Sequence, residues 1–214
     1  MLVGERMTHN PLTTTPDTPV TEALDFMRRE KVRRLPVVDK KGKLVGIVSD
    51  KDLLYASPSP VTSLSVWEVH YLLSKLQVDD VMTRDVITVT EDVPLEDAAR
   101  IMVDKKIGGL PVVRDATVVG IITETDLFKL FIELFGARQK GVRLTVLVPA
   151  VKGELAKITS EIASRDGNII ALGTFLGEDP TNALVTIKVE DVPKDTLIAA
   201  LKPLVLEITD ARES

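Results

Sequence analysis

The sequence predicts an α+β protein in which two copies of a β-α-β-β-α unit precede a smaller β-α-β-β-α-β domain. The first observation is an internal repeat: the run Leu-Pro-Val-Val at residues 35–38 returns at residues 110–113. The second is that each run is followed by a glycine, an apolar strand and a Ser/Thr-x-x-Asp segment. The third is a change in composition after a polar hinge at residues 136–141. A repeat at fixed spacing indicates similar units that pack together.

The first copy begins with a β-rich run at residues 11–15 and continues into an amphipathic helix. Thr18 is its expected N-cap and Pro19 its first helical residue, where a missing N–H has little effect. The apolar face recurs at helical spacing through Val20, Ala23, Leu24 and Met27. Two strands follow at residues 35–38 and 44–48, joined by a polar turn that contains a glycine, as a hairpin requires.

Between the copies, residues 57–63 (Ser-Pro-Ser-Pro-Val-Thr-Ser) are expected to end the preceding helix. A connecting helix is predicted over residues 66–77, with Ser65 and Glu68 as its capping box. The last helix of the second copy is more apolar than its counterpart. Its apolar residues are Leu127, Leu130, Phe131, Leu134 and Phe135. This pattern predicts burial between units or at a subunit interface.

The C-terminal part carries the pattern of a separate small domain. Its predicted strands cover residues 143–148, 169–176, 183–189 and 204–208, and its predicted helices cover residues 154–164 and 194–201. A left-handed cap at residues 166–168 is expected to end the first of these helices. The resulting order, β-α-β-β-α-β, is the ferredoxin-like arrangement.

Composition narrows the class of function. The chain has 214 residues and a net charge of −5, which argues against a general nucleic-acid-binding protein because phosphates need a basic face. Without cysteine, and with His9 and His70 far apart, the sequence shows no metal-ligand spacing. The N-terminal residues lack the apolar core of a signal peptide, and no apolar run is long enough to span a bilayer. We therefore expect a cytoplasmic protein without membrane contact.

Residues 7–136 resemble a tandem cystathionine-β-synthase (CBS) domain pair, or Bateman module, through the Leu-Pro-Val-Val strand and the Gly-x-x-Ser/Thr-x-x-Asp turn of both copies. Residues 143–210 resemble an ACT domain, a small ligand-sensing module, through Gly153 and the Gly-Asn-Ile run at residues 167–169. The predicted boundaries are 1–60 for the first CBS repeat, 61–77 for the linker and connecting helix, 78–136 for the second repeat and 141–214 for the ACT-like domain. The resemblance implies regulation by adenine nucleotides, without a catalytic cofactor or a reaction of its own.

An adenine nucleotide needs a carboxylate for its ribose diol, a cation, hydroxyl or helix N-terminus for its phosphate, and an apolar slot for its base. Each copy offers such groups near one helix start. In the first copy these are Ser49 and Asp52, preceded by Arg33 and Arg34. In the second copy Thr123 and Asp126 take the same places. The adjacent arginines make the first copy the expected site of a phosphate-rich ligand.

The resemblance implies that the two aspartates bind ribose and that the two hydroxyls lie near phosphate. It also implies adenine slots lined by Leu12, Val32, Ile87 and Ile107. Two alternatives stay open. The Ser-x-x-Asp and Thr-x-x-Asp segments are also good helix-capping boxes. The two arginines follow a basic helix and are also consistent with a solvated surface.

In the C-terminal domain, Gly153 and Glu154 are the candidate ligand residues. A glycine permits close approach to the N-terminus of the next helix, which is a carboxylate-binding geometry. Many members of the ACT family have an acidic residue and a proline before this glycine, whereas this chain has Val151 and Lys152. A glycine required only by a tight strand-to-helix turn is therefore the alternative.

Three functions are compatible with these features: a regulatory sensor with an adenine nucleotide as its ligand, an enzyme, and a structural module without a ligand. The sequence shows no nucleophile–base pair and no Gly-rich phosphate loop, which disfavours the enzyme. A sensor needs a regulated protein, which the sequence does not identify. We also expect a homodimer, because the apolar last helix of the second copy and the open sheet edges need cover.

Overall fold

The computed structural model describes residues 1–56 and 75–214, which form two compact units, Met1–Leu127 and Phe128–Ser214. The predicted linker, His70 and nearly all of the predicted connecting helix with its capping box lie outside the described residues.

The first unit contains the predicted order of strands and helices twice. Its helices are α1 (Val3–Arg6), α2 (Val20–Glu30), α3 (Asp50–Tyr55), α4 (Val78–Val81), α5 (Leu95–Lys105) and α6 (Glu124–Leu134), the last of which continues into the second unit. Its strands are β1 (Thr8–His9), β2 (Arg34–Val38), β3 (Leu44–Ser49), β4 (Gly109–Arg114) and β5 (Thr117–Thr123). Strands β2 and β3 form one antiparallel hairpin, and β4 and β5 form the other. The predicted repeat of a helix and a hairpin is confirmed.

Helices α2 and α5 begin and end alike. Each starts after a proline in the extended conformation, Pro19 or Pro94. The prediction that Thr18 caps α2 was wrong by one position, because Pro19 is the N-cap residue and the Thr18 hydroxyl pairs with Thr14 instead, at 2.9 Å. Each helix ends in a left-handed lysine, Lys31 or Lys106, which closes the last turn with a backbone bond from the following residue.

The β-rich run before each long helix forms one bridge, not the predicted strand. Thr14 bridges to Val37 of β2 in parallel, and Val89 makes the equivalent bridge to Val112 of β4. Neither run is therefore a strand of its own, and each joins its hairpin at a single position.

The segments that lead into the two copies are exchanged between them. Strand β1, which precedes the first copy, pairs with β5 of the second copy. Reciprocally, Thr83 bridges to Ile47 of the first copy. The sulfur atoms of Met7 and Met82 lie where Cβ atoms on Gly120 and Gly46 would be, so these two glycines make room for the exchanged segments. The exchange ties both copies into one unit.

The apolar residues predicted for α2 face the core of the first copy. Leu35, Val37 and Val48 from the hairpin and Leu53 from α3 are fully buried there. The cluster also contains Val78 and Met82 from the segment that leads into the second copy. A side chain of this size loses roughly 1.5–3 kcal/mol when it is left exposed, so the two copies stabilise each other.

The second unit has the predicted order β-α-β-β-α-β. Its strands are β6 (Val142–Pro149), β7 (Asn168–Leu176), β8 (Asn182–Glu190) and β9 (Glu207–Glu213), and its helices are α7 (Glu154–Ala163) and α8 (Lys194–Leu201). The sheet is antiparallel with the order β7-β8-β6-β9. Both helices pack on it through Ile158, Ile162, Leu197 and Leu201.

The last strand of this sheet lies later in the chain than predicted. Residues 204–208 were expected to form it, but the paired strand is Glu207–Glu213. Leu204 and Val205 pack against the core from the preceding turn. Strand β9 lies at the sheet edge, where one side meets water, so its charged residues are compatible with pairing.

Helix α6 does not bury its apolar residues. Phe131 is 57% exposed and Leu134 is 54% exposed, and no residue of the helix is buried. The burial that the sequence predicts for this helix is therefore incomplete, with Leu127, Leu130 and Phe135 only half-buried, and its role at an interface stays a prediction.

Candidate functional site

The predicted hydroxyl–carboxylate pairs exist in both copies. In the first copy, the hydroxyl and backbone N–H of Ser49 donate to Asp52 Oδ2 at 2.6 and 2.8 Å, and the Asp52 N–H donates back to Ser49 Oγ at 3.3 Å. In the second copy, the hydroxyl and N–H of Thr123 donate to Asp126 Oδ2 at 2.7 and 3.0 Å. The two helix starts thus repeat in atomic detail.

These bonds show that the capping alternative is realised. Both aspartates satisfy a backbone N–H at the start of a helix, which stabilises the helix whatever else they bind. An ionised carboxylate offers about four acceptor positions on two oxygens, so capping through Oδ2 is compatible with accepting a diol through Oδ1. Both hydroxyl–carboxylate pairs are half-buried, so a ligand can reach them from their exposed side.

The strand starts lie beside the helix starts. Arg34 is paired with Ser49 across the first hairpin, and Gly109 is paired with Thr123 across the second. The chain turns into α3 with a bond from Asp50 N–H to the Arg33 carbonyl, at 3.0 Å. The equivalent bond in the second copy runs from Glu124 to Gly108, at 3.3 Å. Each copy therefore brings its predicted strand-start and helix-start residues together.

The side chain of Arg34 does not stay within its own copy. Its Cδ lies 3.4 Å from the position that a Cβ on Gly109 would take, and its guanidinium lies against Gly108. Glu124 Oε2 is 2.8 Å from the Cβ position of Gly108. The sequence assigned Arg34 to the first copy, whereas the structure places its charge beside the helix start of the second. Arg33 is exposed.

The four predicted adenine-slot residues occupy matching positions. Val32 and Ile107 are half-buried and follow the left-handed lysines that end α2 and α5. Leu12 is 40% exposed and Ile87 is 37% exposed, and each precedes by two residues the bridge that flanks its hairpin. Exposed apolar side chains at equivalent places in both copies are compatible with a base-binding role.

In the second unit, Gly153 and Glu154 line one cavity of about 390 Å³ with mainly apolar walls, among them Val148, Leu155 and Val185. Gly153 has φ +93°, a conformation that side-chain-bearing residues rarely adopt, so the tight turn itself requires glycine. Glu154 is only 6% exposed and accepts a bond from Lys157 Nζ at 2.6 Å. The carboxylate of Glu154 would repel the carboxylate of a ligand bound in this cavity.

A further cavity in the first copy was not predicted from the sequence. It measures about 650 Å³ and is lined by hydroxyl groups of Thr13, Thr15 and Thr18, together with Phe26 and Arg29. The Arg29 guanidinium lies 5.2 Å from the centre of the Phe26 ring. Thr13 and Thr15 recur as threonines in the second copy. Thr18, Phe26 and Arg29 have no identical counterpart there, so the repeat gave no signal for the cavity.

Two features of other protein classes are missing from the part of the chain that the structure describes. No three His, Asp or Glu side chains there are grouped as a metal site would need. Within the same residues, none of the helices has the length and apolar character needed to cross a membrane.

Two reciprocally packed β-α-β-β-α copies with carboxylates at their helix starts define the class of a CBS pair. The CBS domain model matches residues 3–59 and 78–133, more than half of the chain, so the chain belongs to the CBS domain family. A CBS domain-containing protein from Dictyostelium discoideum is 32% identical over 63% of this chain and 93% of its own length. The chain is 28% identical to the inosine-5'-monophosphate dehydrogenase of Nitrosopumilus maritimus, of which it covers 36%.

Solved structures give the same relationship. An AcuB structure from Vibrio cholerae, named for acetoin utilization, is 33% identical over 65% of this chain and 96% of its own, with a TM-score of 0.54. CBSX2 in complex with AMP, a protein of Arabidopsis thaliana, is 35% identical over 62% and 97%, with a TM-score of 0.54. The CBS domain pair of protein MJ0100, in complex with 5'-methylthioadenosine and S-adenosyl-L-methionine, is 32% identical over 65% and 98%, with a TM-score of 0.52.

Proposed function

We propose that this chain is a non-enzymatic regulatory sensor that binds an adenine nucleotide, AMP, ADP or ATP, between its two CBS repeats. One observation carries the proposal: a carboxylate and a hydroxyl are paired at both helix starts, with the Arg34 charge beside one of them. Together these groups match what a ribose diol and a phosphate require. Leu12, Val32, Ile87 and Ile107 supply the apolar contacts to the base.

The related structures support the same ligand class. AMP, 5'-methylthioadenosine and S-adenosyl-L-methionine, the ligands of the two related CBS pairs, share an adenosine moiety. Enzymes are also found among the relatives, but this chain covers only 36% of the dehydrogenase. We therefore place the regulatory role, and not a dehydrogenase activity, in the segment that the relatives share.

Residues 141–214, within the second unit, are proposed to be a ferredoxin-like ACT domain, and the repeats and linker are divided as the sequence predicts. Its element order and its sheet order support this assignment. The proposed signal passes from the CBS pair through this domain to a regulated protein that is not yet identified. A role in acetoin utilization rests on the match to AcuB alone. A cytoplasmic location, expected from the sequence, is part of the same proposal.

A homodimer is the proposed assembly. Phe131 and Phe135 lie with ring centres 4.7 Å apart, and Phe135 stacks on Phe175 at 5.8 Å. Phe175 and Leu176 are exposed at the end of β7, which is an edge strand of the sheet. A contiguous apolar cluster at an open edge favours pairing with a second copy of the chain.

The test is ligand binding by the purified chain. A nucleotide at about 100 times its dissociation constant adds about 2.7 kcal/mol, which raises the unfolding midpoint of a chain of this size by about 5–10 °C. Calorimetric titration of the Asp52→Ala, Asp126→Ala and double variants should show weaker binding in each single variant and none in the double. Unchanged affinity in the double variant contradicts the assigned sites.

A matched control separates binding from capping. Asp80 also caps a helix start, through a 2.9 Å bond from Gln77 N–H, but it is outside the proposed sites. Asp80→Ala should lower stability in the same way and leave nucleotide affinity unchanged. If no adenine compound binds the unmodified chain, the structural module is the better description.

Amino-acid sensing by the second unit is a second candidate, favoured by the cavity around Gly153. Because Glu154 is buried beside it, we expect an amino group, not a carboxylate, to be the recognised end. Titration with a panel of amino acids and amines, repeated on Glu154→Gln, checks this candidate. Binding that does not depend on Glu154 contradicts it.

A further inference from the structure

The two copies differ most where their strands begin. The first copy has Arg33 and Arg34, and the second has Gly108 and Gly109 at the equivalent positions. Arg34 and Gly109 are paired with the equivalent residues Ser49 and Thr123, so they occupy the same place in the two hairpins. The loss of both side chains in the second copy therefore needs a physical reason.

Space is that reason. The methylene chain of Arg34 crosses Gly109, and its Cζ lies 2.8 Å from the Cβ position of Gly108. Any side chain on Gly108 would displace the guanidinium. The asymmetry of the sequence is thus one feature, an arginine from the first copy and the room that the second copy leaves for it.

A carboxylate lies beside the same glycine. Glu124 Oε2 is 2.8 Å from the Cβ position of Gly108, which the Arg34 guanidinium also contacts. Glu124 directly follows Thr123, the hydroxyl proposed to lie near phosphate. A guanidinium binds carboxylate and phosphate with the same planar set of donors, so it cannot serve both fully at once.

We propose that Glu124 is a specificity-determining residue, which competes with the ligand's phosphate for Arg34 at the second helix start. The inference rests on the proposed nucleotide site and adds the origin of its charge preference. The Arg34 guanidinium and the Glu124 carboxylate both lie beside Gly108, close enough for their charges to attract. A phosphorylated ligand gives Arg34 a phosphate in exchange for this nearby carboxylate, across the boundary between the copies. A ligand without phosphate does not compete for Arg34.

Paired titrations with AMP and adenosine test the exchange. Arg34→Gln should weaken AMP binding at the second site by about tenfold to a hundredfold, the usual range for a charge-assisted bond, and change adenosine binding less than about twofold. Glu124→Gln should strengthen AMP binding and leave adenosine unchanged. Each variant is combined with Asp52→Ala, so that the second site alone is measured.

Two further variants keep the test independent of folding. Gly108→Ala retains Arg34 but displaces it, so it should reproduce the loss of AMP binding. Arg28→Gln removes an exposed arginine that pairs with Asp25, and it should change neither affinity. Thermal unfolding of each variant shows that it is folded before it is titrated.

The outcomes separate this inference from the proposed function. If the chain binds neither AMP nor adenosine, the nucleotide site itself is wrong and the inference is lost with it. If both ligands bind but Arg34→Gln weakens them equally or not at all, the nucleotide site stands and the exchange is overturned. A Glu124→Gln variant that loses AMP affinity also overturns it, because Glu124 would then assist the phosphate.

Discussion

The two CBS copies have the same backbone fold but carry different side chains where they contact each other. Their long helices have 11 residues each, begin after extended prolines and end in left-handed lysines. Their helix starts carry the same hydroxyl–carboxylate bonds. The side chains differ where the copies meet, with Arg34 facing Gly109. Because Arg34 and Gly109 occupy equivalent positions and contact each other, the large side chain of one copy is matched by the absence of a side chain in the other.

The comparison also shows why neither copy is an independent domain. Each hairpin has a segment from the other copy's leader against it, through Met7 on Gly120 and Met82 on Gly46. The core of the first copy includes Val78, which precedes the second. The two copies are therefore expected to unfold together, as equal partners of one domain.

The largest effect is expected from emptying equivalent core positions. Leu35 and Leu110 are both fully buried, so Leu35→Ala and Leu110→Ala should each lower the free energy of unfolding by about 2–5 kcal/mol. Both variants should shift the same cooperative transition in urea, followed by circular dichroism. Leu144→Ala, in the second unit, is the control for a change outside the pair. Separate unfolding transitions for the two copies would show that each copy folds independently.

A smaller effect is expected at the exchanged segments. Gly120→Ala places a methyl group against the Met7 sulfur, which should cost about 1–3 kcal/mol. Met7→Ala removes that clash, so the two substitutions should cost less together than the sum of their separate effects. The cycle at Gly46 and Met82 is the matched measurement, again by urea unfolding. Additive costs in both cycles would show that the sulfur contacts do not hold the copies together.

Much of this fold could be predicted from the sequence, because its signals are local. The spacing of Val20, Ala23 and Met27 fixes the buried face of α2, and the glycine-containing turn fixes the first hairpin. The repeat itself predicts the pair. Spacing also predicted the pairs Ser49–Asp52 and Thr123–Asp126, and the two residues of each pair are hydrogen-bonded to each other. Local patterns identify such pairs since both partners lie within one helical turn.

The remaining features depend on residues far apart in the chain. The exchange of β1 onto β5 joins Thr8 with Ile121, and no local pattern reports such a pairing. The path of Arg34 depends on the glycines of the other copy, so adjacency in sequence did not show that its charge lies beside the second helix start. The last strand was misplaced because Leu204 and Val205 read as a strand but pack as a turn.

The hairpin turns offer a third, smaller test. The first copy uses Gly42 at φ +77°, whereas the second turns through Asp115 and Ala116 at φ +49° and +68°. An alanine in the left-handed region costs about 1–2 kcal/mol, and the Asp-Gly sequence is preferred in such two-residue turns. Ala116→Gly should therefore raise the free energy of unfolding by about 0.5–1 kcal/mol, measured in urea. Gly42→Ala should lower the free energy of unfolding. If both variants change it in the same direction, Ala116 is not strained by its left-handed conformation.

The smallest effect concerns the charge in the longer turn. The backbone N–H groups of Lys43 and Lys41 donate to Asp39 at 2.9 and 2.8 Å, and these bonds hold the pKa of its carboxyl below the ordinary value of 3.8. Because the folded-state pKa is the lower one, the stabilisation is present above about pH 4 and is lost as the pH falls through the lowered pKa.

Asp39→Asn should therefore flatten the acid side of the stability profile, measured as the unfolding midpoint between about pH 5 and pH 2. Lys40→Gln keeps both backbone donors and is the matched control, whose profile should keep its slope. The equivalent turn in the second copy is shorter by one residue, so it lacks the loop that closes around this carboxylate. An unchanged slope in Asp39→Asn would mean that the extra residue of the first turn brings no pH-dependent stability.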